Sequence, residues 1–144
     1  MRTWTATAVA AAHPAAVLAL LTDPDACARW APVPFDVEDD TRRLAAGSRA
    51  RVSGRLAGQR VGFDVEVHAA DEHGLALSAH GPVGFDVDYR VSPTDAGAKV
   101  DASISVRPQR GFIGRLLAEA TGALLSAGAL ENAVARLVRE AAIV

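Results

Sequence analysis

Few side chains in this sequence could do chemistry, and they are scattered. Tyr89 stands among Phe85, Val87 and Val91. A phenol can donate a hydrogen bond to a ligand carbonyl or act as a general acid. His80 closes a strand-like run beside the turn Gly81-Pro82-Val83-Gly84. An imidazole there could reach a molecule bound near that turn. These two are the candidate catalytic residues. Each has a plainer reading. Tyr89 fits a core tyrosine whose hydroxyl meets backbone or water. His80 has outward parity relative to Leu75, Leu77 and Ala79. Glu131 lies near an apolar helical stripe and close to Gly128, where a carboxylate could serve as a base, or simply be solvated. Trp30 could stack on a planar ligand or staple short helices to a sheet.

Other chemistries lack their residues. His13, His68, His73 and His80 have no cysteine partner and no shared i, i+4 helical spacing, so no metal site is expected. Gly111-Phe112-Ile113-Gly114 precedes a helical pattern but lacks the spacing and the lysine of a phosphate loop. No cofactor is expected. Cys27 is the only cysteine, which excludes an intrachain disulfide and fits a reducing, cytoplasmic home. The formal net charge of −2 makes no case for nucleic acid or an anionic membrane surface. No run reaches the roughly 18 apolar residues of a membrane span. The apolar stretch from Thr5 to Leu21 resembles a secretory signal only superficially, because His13-Pro14 interrupts it.

The elements that position these residues follow from parity. Val61, Phe63, Val65 and Val67 alternate with Gly62, Asp64, Glu66 and His68. Phe85, Val87, Tyr89 and Val91 alternate with Asp86, Asp88, Arg90 and Ser92. Val100, Ala102, Ile104 and Val106 alternate with Asp101, Ser103, Ser105 and Arg107. Successive strand residues face opposite ways, so one sheet face is apolar and the other charged. The apolar face offers one hydroxyl, Tyr89. Trp4, Ala6 and Ala8 predict a first strand. Pro14 and the apolar residues to Leu21 predict a helix. Asp23 and Pro24 predict the start of a second short helix, ending near Trp30. Further strands are predicted at 35–39, 49–56, 61–69, 75–80, 84–92 and 99–107, separated by turn residues and therefore antiparallel. From Phe112 the apolar spacing becomes helical and predicts one long C-terminal helix, with Gly122 and Gly128 as places where it could break. The single-domain reading over residues 1–144 is α+β: a seven-stranded antiparallel sheet curled around that helix.

At this point the chain resembles the START-like superfamily, in particular its bacterial polyketide cyclase/dehydrase and lipid-transport group. That group has the helix-grip fold of the birch-pollen allergens. The resemblance rests on element order and on local segments. These are Ala11-Ala12-His13-Pro14 through Ala28-Arg29-Trp30, Leu44 to Arg49, Gly97 to Val100, and Leu137 to Glu140. It implies a cavity between sheet and C-terminal helix for an apolar or aromatic small molecule. It does not imply a reaction, because the fold hosts carriers, receptors and cyclases. Cyclases of the group use pocket Arg, Tyr, Ser or His; here Tyr89 alone is polar on the inner face.

The expected ligand wall is Trp30, Phe63, Val65, Leu77, Phe85, Val87, Tyr89, Leu116, Ala120 and Leu124. The first functional reading is a carrier or binding protein for a hydrophobic or aromatic small molecule. The alternative is a polyketide cyclase or dehydratase that works mainly by positioning its substrate. A protein-interaction module ranks third, because the outer face carries charge where a docking patch would be apolar. Whether the chain is an enzyme, and its oligomeric state, are left open by the sequence.

Overall fold

Alternating apolar residues make the strands, and short turns make them antiparallel. The computed structural model describes residues 2–23, 25–26, 35–37, 44–56, 58–107 and 111–143, with backbone only at 35–37, 56 and 143. Its strands are β1 (Arg2–Ala10), β2 (Phe35–Val37), β3 (Arg49–Leu56), β4 (Gln59–Asp71), β5 (Gly74–His80), β6 (Gly84–Thr94) and β7 (Gly97–Arg107). Its helices are α1 (Pro14–Leu21), α2 (Phe112–Ser126) and α3 (Ala129–Ile143).

The sheet order is β1-β7-β6-β5-β4-β3-β2. Six long strands carry it; β2 is three residues long and sits at one edge. The first strand therefore pairs with the last, from Arg2↔Val106 to Ala10↔Ala98. Between β4 and β5 the register shifts at Val67/Ala69. His68 is the extra residue of that bulge, so the apolar parity slips by one beyond it. Val67 faces inward opposite Leu77, and Ala70 takes the matching place opposite Leu75.

Helix α1 starts as its sequence predicts, with Pro14 in its first turn after an extended His13. It ends where Thr22 returns both its N–H and its hydroxyl to the Leu18 carbonyl. Asp23 Oδ1 accepts the Asp25 N–H at 3.0 Å, an N-cap bond that opens a second helical turn at Asp25-Ala26. The rest of that predicted helix, Trp30 included, lies outside the described residues.

The C-terminal cover corrects the expectation of one long helix. It is two helices, α2 and α3, bent by 57°. The break falls at Ala127-Gly128, where Gly128 takes φ +100°. That conformation suits glycine and ends a helix, so the glycine placed there costs less than a mid-helix glycine would. Helix α3 buries Leu130, Ala133, Val134, Leu137 and Ala141 and packs against β1, β7 and α1. Helix α2 touches β7 and β1 on one side and β3 on the other, so it crosses the mouth of the curled sheet.

Candidate functional site

The concave face is built by inward residues of β3 to β7 and β1. Phe63, Val65 and Phe85 are buried, and the Phe63 and Phe85 rings meet at 5.4 Å between centroids, tilted by 49°. Tyr89 is 0% exposed and is among the largest fully buried side chains. Its strand partners are Leu75 and Ala102. One row crosses the sheet as Val67, Leu77, Val87, Ile104 and Trp4. Val67 and Ile104 are buried, whereas Leu77 and Val87, facing each other on the two central strands, are only partly so. Apolar side chains in the middle of a sheet keep solvent access only where the covering helices leave a gap. No charged residue takes inward parity on β4 to β7.

Helix α2 meets this face in a different orientation from the expected one. Leu116 and Leu124 are 41% and 43% exposed, and Ala120 is half-buried. The residues turned into the core are Leu117, Thr121 and Leu125. Both sets satisfy helical spacing, and in the structure the second faces the core. The small residues nearby do not open space against the sheet: Ala123 and Ala127 are exposed, and Trp4 occupies the space over Gly122. The Trp4 Nε1–H donates to Ser126 Oγ at 3.3 Å, and the Arg2 guanidinium lies 4.7 Å from the indole centroid. Trp4 is thus on the inward side of β1, a position the sequence reading did not assign to the site. Its signal was the antiparallel pairing with Ile104. Trp30 lies outside the described residues.

The two candidate catalytic residues are on opposite faces of the sheet. His80 is exposed on the outer face, paired in register with Asp64, while Tyr89 is buried inside. They cannot share a substrate. His80 Nδ1 lies 3.3 Å from Arg107 Nη2. A guanidinium only donates, so this imidazole nitrogen accepts. Arg107 Nη2 also donates to the Ala79 carbonyl at 2.8 Å. His80 further borders an outer cleft of about 480 Å³ with Arg49, Arg51, Asp64 and Glu66. Arg51 and Asp64 form a 2.9 Å ion pair there, exposed and worth only tenths of a kcal/mol. This cleft is charged and open to water, unlike the concave face.

A second polar group on the outer face was not foreseen. The Ser78 hydroxyl donates to Asp86 Oδ1 at 2.7 Å, and His68 Nε2 stands 2.7 Å from Ser78 Oγ. Serine has one hydroxyl proton, and it goes to the carboxylate, so His68 is the donor. A nucleophile–base pair needs the opposite polarity. The bulge at His68 brings the imidazole over Ser78 and explains why this outer-face serine is buried. Glu131 is exposed in the first turn of α3. Among the described residues no group of three or more His, Cys, Asp or Glu could hold a metal ion.

The model of the family "Polyketide cyclase / dehydrase and lipid transport" matches residues 1–142, and the chain belongs to that family. Solved structures share the fold at low identity. Protein CV1439 from Chromobacterium violaceum is 15% identical, covers 99% of each chain and superposes with a TM-score of 0.71. Bacillus halodurans protein BH1534 is 11% identical over 96% of each chain, also at 0.71. DynU16, from the dynemicin biosynthetic locus, is 17% identical at 0.61, covering 95% of this chain and 46% of its own. No curated protein matches the sequence.

Proposed function

We propose that this protein binds a neutral, largely apolar small molecule on its concave face, as a carrier or binding protein. The observation that carries the reading is the partly open Leu77–Val87 pair at the centre of a face whose inward positions on β4 to β7 carry no charged residue. Apolar walls with few polar groups are the usual lining of small-molecule sites. Phe63, Val65 and Phe85 continue the wall on one side, and Trp4 with α2 closes the other. Tyr89 supplies a hydroxyl from the sheet side of the wall. Leu116 and Leu124 drop out of it because they face away.

The test is titration of the purified protein with a neutral, polarity-sensitive aromatic dye. The expected result is saturable emission. Val87→Trp, which fills the gap, should weaken binding about tenfold while leaving Tm unchanged, a loss of about 1.4 kcal/mol. Equal binding by the variant, or no binding by the parent chain, overturns the proposal.

A second reading is favoured by the family description and by DynU16, a structural neighbour from a biosynthetic locus. In it the same face positions a polyketide-like chain for cyclisation or dehydration, with Tyr89 as the hydrogen-bond donor. Unchanged turnover by Tyr89→Phe on an identified substrate would remove that role.

A further inference from the structure

Helix α2 is apolar on two sides. One side, with Leu117, Thr121 and Leu125, is buried. The other carries Phe112, Ile113, Leu116 and Leu124, exposed at 81, 57, 41 and 43%. Only Arg115, Glu119 and Ser126 form a polar sector, and it is narrow. A helix apolar around most of its circumference is normally enclosed or set against a non-aqueous phase. Four large apolar side chains along one exposed helix face mark an interaction surface.

The local charge indicates which surface. In sequence, Arg110 and Arg115 flank Phe112 and Ile113, and no acidic residue occurs between Asp101 and Glu119, while Arg107 is held on the outer face of the sheet by Asp86 and the Ala79 carbonyl. The overall charge of −2 averages this away. An apolar pocket on a partner protein would not require cations around the anchor residues. An anionic headgroup layer attracts them, while aromatic and leucine side chains enter the acyl boundary. No single helix is long and apolar enough to cross a membrane, so α2 would lie in the interface plane. Its exposed side also faces away from β1, β7 and β3, which it touches from within. We propose that α2 docks this protein on an anionic lipid surface, inserting Phe112, Ile113, Leu116 and Leu124 and setting Arg115 among the headgroups.

Vesicle flotation with the full chain tests this. Two vesicle types are used, phosphatidylcholine alone and phosphatidylcholine with about one-third phosphatidylglycerol. The protein should float with the anionic vesicles and release at high salt. Phe112→Ser combined with Leu116→Ser should cut the bound fraction at least about tenfold at unchanged Tm, since both side chains are outside the core. Arg115→Gln should weaken binding about fivefold, the weight of one basic residue at such a surface. Absence of flotation, or equal flotation by the double variant, overturns the proposal. A dimer in light scattering that the double variant turns into a monomer also overturns it, assigning the face to a second copy.

Discussion

The Trp4 indole lies directly against Gly122. A Cβ added to this glycine would stand 3.5 Å from Trp4 Cη2 and 3.3 Å from Arg2 Nη1. The first is ordinary van der Waals contact, and the second meets the movable end of a long side chain. Gly122→Ala should therefore be accepted and should gain about 1 kcal/mol of helix propensity. The check is a rise in Tm of several degrees. A bulkier substitution such as Gly122→Leu should push Trp4 aside and lower it.

The rotation of α2 makes a paired prediction. Leu117 is 1% exposed and its neighbour Leu116 is 41% exposed. Leu117→Ala should cost about 2–5 kcal/mol in urea unfolding, the range for a buried leucine. Leu116→Ala should cost less than about 0.5 kcal/mol. Reversal of that order would mean that the helix is turned the other way.

Ser78 joins His68 and Asp86 in a bonded chain across β4, β5 and β6. Ser78→Ala removes both bonds at a buried position. A hydrogen bond to a charged group contributes about 1.5–3 kcal/mol. Denaturation at neutral pH should show a loss in that range, with unchanged binding of an apolar dye, because the chain lies on the outer face.

Gly74 follows the Glu72-His73 turn with φ +150°. A Cβ there would collide with the Tyr89 carbonyl, which is backbone and cannot yield. Strained backbone of this kind costs about 1–3 kcal/mol before the collision is counted. Gly74→Ala should therefore destabilise the fold more than Gly58→Ala, whose added Cβ meets nothing within 4 Å. Comparison of the two Tm values separates conformational strain from steric overlap.

The strands were legible because period 2 leaves no ambiguity about faces. Phe63, Phe85 and Tyr89 could be assigned inward from parity alone, and the pairing of β1 with β7 agrees with it. The cover was less legible. Leu116 and Leu117, or Leu124 and Leu125, fit a helical stripe equally well when a helix has few polar residues. Only packing against the sheet decides between them. The burial of Ser78 was hidden for a related reason. Parity correctly places it on the wet face, but a one-residue bulge lays the His68 ring over it. His80 was assigned outward by parity and is found there, so of the two candidate catalytic residues only Tyr89 is on the inner face.

The bend at Gly128 also divides the cover into two units of unequal strength. Helix α3 sinks five apolar side chains into the core, while α2 contributes Leu117 and Leu125 as its large buried ones. Opening free energies follow buried contacts, so α2 should come away below the global unfolding free energy while α3 stays in place. In native-state hydrogen exchange the α2 amides would lose protection first. The sheet would keep its fold with its mouth uncovered.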